Sequence, residues 1–193
     1  MFQNSQSITG FAPEYTTLEF TNATNLRNMF RDCFSIEKLP PIHINAPTSN
    51  DSFVATFFKC ENLEEVIFSG QTDGPNDGDY SQMFYQNYNL QLISGLDFHH
   101  TTSANNLNQL FQNTRSITAI RFTGTDNYEN GFKHNVSLRY MPIDTGNMVH
   151  IFNHLVTVSH SATIDIRNTL ALEELTDAQK AIATNKGWSV TVS

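Results

Sequence analysis

The chain of 193 residues has little positive charge: 11 Lys and Arg stand against 19 Asp and Glu, a net charge of −8. A generic nucleic-acid binder needs clustered cations to displace counterions from phosphates, so nucleic acid is not an expected partner. Two cysteines are too few for a disulfide scaffold. No run approaches the roughly 20 apolar residues of a membrane-crossing helix. The opening MFQNSQSITG lacks the basic and apolar regions of a secretory leader. No Gly-rich phosphate loop, dinucleotide fingerprint or G-x-S-x-G elbow occurs, which argues against those enzyme classes. Charged residues make up only 16%. Asn and Thr, each about a tenth of the chain, supply instead a polar, uncharged surface suited to a virion or an extracellular location.

What is present is a repeat. Phe recurs at Phe2, Phe30, Phe57, Phe84, Phe111, Phe132 and Phe152, with gaps of 28, 27, 27, 27, 21 and 20. Six residues after each stands an aliphatic residue (Ile8, Ile36, Leu63, Leu90, Ile117, Leu138, Val158), preceded by Ser, Asn or Thr. Nine after comes another apolar side chain (Phe11, Leu39, Val66, Ile93, Ile120, Met141). The last two copies thus read as shortened. A helical bundle would sustain a 3.6-residue apolar period over ten or more residues, whereas these bursts are brief and end in Pro, Gly, Asn, Asp or Thr. Such units cannot bury their apolar faces singly, so they must stack. The pattern predicts an α/β solenoid: a right-handed superhelix of about seven coils over residues 1–169. Its anchor Phe would sit on one helical turn, and segments such as 63–68 and 117–122 would form one parallel sheet. Residues 170–193 read as a helix–strand cap. Thr176 and Gln179 fit a capping box, Leu172, Leu175, Ala178 and Ile182 share a face, and Trp188–Val192 would be a strand.

The copies MFRDCFSIEKLP (29–40), FFKCENLEEVIF (57–68) and QMFYQNYNLQLI (82–93) resemble the BspA-type leucine-rich repeat. That family's pattern carries Cys three residues after the Phe; here Cys33 and Cys60 match, while Ser5, Asn87, Thr114, Asn135 and Leu155 depart from it. The ending AIATNKGW resembles those of phage tail and virion proteins. The resemblance implies a non-enzymatic surface or adhesion role without cofactor, with other virion or surface proteins, further copies of the chain, or a host receptor or glycan as partners.

Candidate chemistry is sparse. Cys33 and Cys60 occupy one position in successive repeats; parallel side chains there favour buried free thiols over a bond. His99 and His100 point apart in a strand or loop, and His150 and His154 share a helix face without an HExxH acid, so no metal site is expected. The oxygen-rich stretch with Asp73, Asn76, Asp77 and Asp79 departs from the EF-hand spacing and fits a plain turn, with Ca²⁺ as the alternative. Of the carboxylates, only Glu64, Glu65 and Asp97 are placed for glycan chemistry, and adjacent carboxylates on a strand face opposite ways.

Binding surfaces are sought on the outward strand rows: Lys38, Glu65, Leu92, Ala119 and Tyr140 in one, Ile67, Ser94, Arg121 and Pro142 in the other. Arg121 and Tyr140 are the residue types that anchor interfaces, with Glu65, Ile67 and Leu92 beside them. Phe2, Ile8 and Phe11 lack a preceding copy, which predicts an assembly contact over residues 1–14. The functional expectation is a virion component, a phage tail or fibre part. A bacterial surface adhesin is the first alternative and a carbohydrate-active solenoid the second.

Overall fold

A computed structural model describes residues 2–45, 52–70, 78–99, 101–123 and 129–193. The class is α/β. Five short strands, β1 (Leu18–Phe20), β2 (Ile42–Ile44), β3 (Glu65–Gly70), β4 (Leu92–Leu96) and β5 (Ala119–Phe122), pair in chain order, all parallel. Alternation puts Val66, Ile93 and Ile120 inward, with no measurable exposure, and leaves Glu65, Ile67, Leu92 and Arg121 half-exposed. Gly95 sits at a bulge with φ +83°; a Cβ there would lie 2.1 Å from the Phe68 carbonyl oxygen, so only glycine fits.

The sequence called for one sheet; there are two. The second contains β6 (Val136–Ser137), β7 (Ala162–Asp165) and β8 (Trp188–Thr191), again parallel and in order. Two helices, α1 (Thr145–His154) and α2 (Asp177–Thr184), belong to this half. Thr176 caps α2 with the expected box. The C-terminal block joins what precedes it: β8 pairs with β7, and the Trp188 indole N–H donates to the Val156 carbonyl at 2.9 Å. Ala178 is exposed, and Ala183 is buried in its place.

Phe30, Phe57, Phe84 and Phe111 stack in one column, as their spacing predicts, with Phe2 on its end. Successive ring centroids lie 5.3, 5.4, 5.6 and 5.9 Å apart. The segment around each ring is not the expected helical turn. It is a chain of overlapping tight turns with left-handed residues two positions before and after the ring: Asn28 and Asp32, Ala55 and Lys59, Gln82 and Gln86, Gln109 and Asn113. This backbone turns alternate N–H groups toward the next copy. Leu26, Asn28, Phe30 and Asp32 donate to the carbonyls of Ser52, Val54, Thr56 and Phe58. Phe53, Ala55, Phe57 and Lys59 repeat this onto Asp79, Ser81, Met83 and Tyr85. Tyr80, Gln82, Phe84 and Gln86 do the same onto Asn106, Asn108, Leu110 and Gln112. Each of these three turns is thereby satisfied by its successor.

The apparent shortening of the last copies is also corrected. Phe132 leaves the column: it stacks on Phe98 at 5.0 Å and meets Phe111 edge-on. The second half of this turn instead recurs at Leu138 and Ile166, each preceded by a strand and followed two residues later by a left-handed residue, Tyr140 and Asn168. In both, the N–H at the third position returns to the anchor's carbonyl, as Cys33 does to Phe30. Counted this way the gaps after Phe111 are 27 and 28, so the period persists with aliphatic anchors.

The departures from the Cys pattern have a physical explanation. The Cys33 and Cys60 thiols donate to the Phe2 and Phe30 carbonyls, each at 2.9 Å. Asn87 Nδ2 donates to the Phe57 carbonyl at 2.8 Å, and the Thr114 hydroxyl to that of Phe84. At these four copies the position supplies a compact donor, sulfur or not, to the preceding anchor's carbonyl. Both thiols are free and buried. Burial pushes both upward in pKa, and at Cys60 the neighbouring Cys33 adds to the effect, so neither is a poised nucleophile.

Candidate functional site

Among the described residues the hydrogen-bonded turn ladder lapses between the Phe111 and Leu138 turns. After the turn at Phe111, continuation would carry the N–H groups of Gln109, Phe111 and Asn113 to the carbonyls of Asn135, Ser137 and Arg139. None of these bonds forms, and none of the three N–H groups has another acceptor among the described residues. Between the two rows lies a groove of about 760 Å³, walled by residues 107–115 on one side and 135–137 and 139–141 on the other. The ladder resumes beyond it, with Leu138 donating to Asp165 and Tyr140 to Arg167.

Side chains give this groove its charge. The Arg115 guanidinium lies 4.9 Å and the Arg139 guanidinium 4.5 Å from the Tyr140 ring centroid, and Arg139 also donates to the Tyr140 hydroxyl at 2.6 Å. Tyr140 is held there by its left-handed backbone, φ +67°, and remains 42% exposed. Neither arginine has an ion-pair partner among the described residues. The one carboxylate of the lining, Asp165, is taken by Arg167 through contacts of 2.9 and 2.8 Å. Those bonds hold the Asp165 carboxyl below the usual range, against the effect of burial, with Arg139 adding a smaller pull. In a chain of net charge −8 the groove is a local positive site lined by uncommitted backbone donors.

The expected binding residues divide accordingly. Tyr140 lines the groove, though from a turn and not from a strand row. Arg121, Glu65, Ile67 and Leu92 stay on the first sheet: Glu65 is in register with Leu92 and Ala119, and Ile67 with Ser94 and Arg121. Lys38 precedes β2, while Tyr140 and Pro142 follow β6, so neither outward row extends to them. Phe2, Ile8 and Phe11 are half-buried against the core, Phe2 stacked on Phe30 with Phe11 edge-on to it at 5.5 Å.

Sequence reasoning missed Arg115, Arg139 and the three N–H groups. The signal was the register change after Phe111, which was read as a shorter copy instead of a broken contact.

The other candidates do not converge. Glu64 pairs with Lys38 at 3.5 Å, and the Asp97 carboxylate accepts from the His99 N–H. His150 and His154 share a face of α1 with ring centroids 4.4 Å apart. His150 takes the Phe122 N–H at the edge of β5, and His154 meets Asn130 at 2.8 Å. Among the described residues no three His, Cys, Asp or Glu side chains gather as metal ligands. Asp73, Asn76, Asp77 and His100 lie outside the described residues; Asp79 Oδ1 accepts from the Ser81 N–H. No helix among the described residues is long and apolar enough to cross a membrane. No protein family, curated protein or solved structure matches the chain.

Proposed function

We propose that this chain is a non-enzymatic binding and structural module of a virion, a phage tail or fibre component. In this reading it is built as a right-handed, BspA-like leucine-rich-repeat solenoid and engages its partner at the groove between the Phe111 and Leu138 turns. The 27- to 28-residue anchor period, the parallel registers and the ring column support the architecture. The observation that carries the binding role is the groove itself. It is the place where the turn-to-turn hydrogen bonds lapse, and Arg115, Arg139 and Tyr140, residues of interface-anchor type, gather there. The surface, low in charge and rich in Asn and Thr, supports a virion or extracellular location.

The test places a photo-crosslinking benzoylphenylalanine at position 140 and, separately, at position 92 of the full chain in its native particle or cell. The expected outcome is a discrete virion-protein adduct from position 140 and none from position 92. Adducts from position 92 alone would move the binding face to the first sheet. Adducts only to cell-envelope proteins would favour the adhesin reading, and glycan cleavage by the purified chain would overturn the non-enzymatic one.

A further inference from the structure

The unoccupied N–H row specifies what fills the groove. In each preceding layer, N–H groups two residues apart are taken by the alternate carbonyls of a polypeptide lying alongside. Gln109, Phe111 and Asn113 present the same spacing in the same turn conformation, with Gln109 and Asn113 left-handed as their counterparts are. The opposite wall, at Asn135, Ser137 and Arg139, is the segment whose carbonyls stand in the acceptor positions of the pattern. A chain placed between the two walls would receive hydrogen bonds from one row and give them to the other, as an added layer does. Small ions satisfy only part of this arrangement, because the row is periodic and has two sides.

Charge narrows the choice. Arg115 and Arg139 flank the row without carboxylate partners, and Asp165 is neutralised by Arg167. Both guanidiniums are exposed, and an incoming carboxylate can pair with either. The Tyr140 ring between them offers a flat apolar contact beside the charged sites.

We infer that the groove between the Phe111 and Leu138 turns binds an acidic polypeptide segment of a partner protein, which inserts as an extra layer on the N–H groups of Gln109, Phe111 and Asn113 with its carboxylates on Arg115 and Arg139. This rests on the binding role proposed above and adds the class of ligand and its mode.

The experiment uses the full chain and the labelled dodecapeptide (Glu-Gly)6, in which Gly permits either backbone hand and Glu supplies the charge. Binding is followed by fluorescence anisotropy at about physiological salt, where long-range attraction is screened. Amide hydrogen exchange at positions 109, 111 and 113 is measured in parallel. The expected result is saturable binding, at least tenfold weaker in the Arg115→Ala/Arg139→Ala double variant, with exchange at the three amides slowed at least tenfold by the peptide. Both arginines are exposed, and circular dichroism confirms that the variant keeps the fold. Equal binding of (Lys-Gly)6, or no saturable binding of (Glu-Gly)6, overturns the inference. Dextran sulfate competing while the three amides stay unprotected overturns the inserted layer in favour of a simple polyanion site. Position-140 crosslinks persisting without peptide binding would leave the proposed function standing and this ligand refuted.

Discussion

Residues 2–123 and residues 129–193 share one anchor period but surround the anchor differently. In the first region the segment leading into each Phe is a left-handed turn row and the segment after it is a strand. In the second, strands β6 and β7 lead into Leu138 and Ile166, and helices α1 and α2 follow. Flat rings stack at the layer spacing and fill a column with little adjustment, which suits narrow turn rows. In the second region helices add to the core: Met148, Ile151 and Phe152 of α1 are fully buried. The comparison teaches that the period fixes where layers meet, while the anchor's shape selects what is wrapped around it. The groove lies at the change between the two solutions, where the turn-row bonds lapse.

The largest effect that would test this contrast comes from the column. Phe57→Ala empties a fully buried ring site between two stacked neighbours and is expected to cost about 3–5 kcal/mol. Leu138→Ala, at an anchor enclosed by other elements, should cost about 2–5 kcal/mol. Urea unfolding of each variant checks both. A Phe57→Ala cost below that of an exposed site would show that the rings are not the support of the first region.

Next is the donor position. Asn87→Ala leaves the buried Phe57 carbonyl without its Nδ2 partner, for about 1–3 kcal/mol. Asn87→Cys restores a donor of the kind used at Cys33 and Cys60 and should recover part of that loss. If Cys is no better than Ala in the same unfolding assay, the position selects size and not hydrogen bonding.

In the second region, Thr176→Ala removes one half of the α2 capping box, at about 1 kcal/mol by the same measurement. The smallest effect is on acid stability. Burial lowers the pKa of His134, outweighing its hydrogen bond to the Thr101 carbonyl, and nearby His160 and Lys133 lower it further. The unfolded chain therefore takes up this proton first as pH falls. The contribution is present above the ordinary histidine value of about 6.5 and is lost as pH drops from there through the lower folded value. Thermal melts at pH 7 and pH 5 should differ less in His134→Gln than in the parent chain.

Much of the first region was legible because its anchors are aromatic and its period is constant. Phe30, Phe57, Phe84 and Phe111 stack as their spacing required, and Val66, Ile93 and Ile120 fall inward. The second region was misread because Phe132 and Phe152 are as conspicuous as true anchors, whereas Leu138 and Ile166 look like ordinary core residues. The turn conformation was hidden for a related reason. Asn28 and Asn113 belong to a type that tolerates positive φ, but Ala55, Lys59 and Gln82 do not, and there the neighbouring layer imposes what local preference opposes. Tyr140 stood out as an anchor residue type, and it lines the groove. Arg115 and Arg139 did not, because they meet only across a contact between separate layers.

The lapse in the ladder has a mechanical consequence. Layers joined by rows of backbone bonds resist being pulled apart because every bond in a row must stretch together. At the groove that reinforcement is missing, and the two regions are joined to its side, by the Phe122 N–H to His150, the Phe98 N–H to the Asn130 carbonyl and Asn130 Nδ2 to Thr123 among others. Under tension along the stack the turn rows are expected to part there before they part at a bonded row. A chain seated in the groove would act as a rivet across it, so an occupied molecule would bear load that an empty one would yield to.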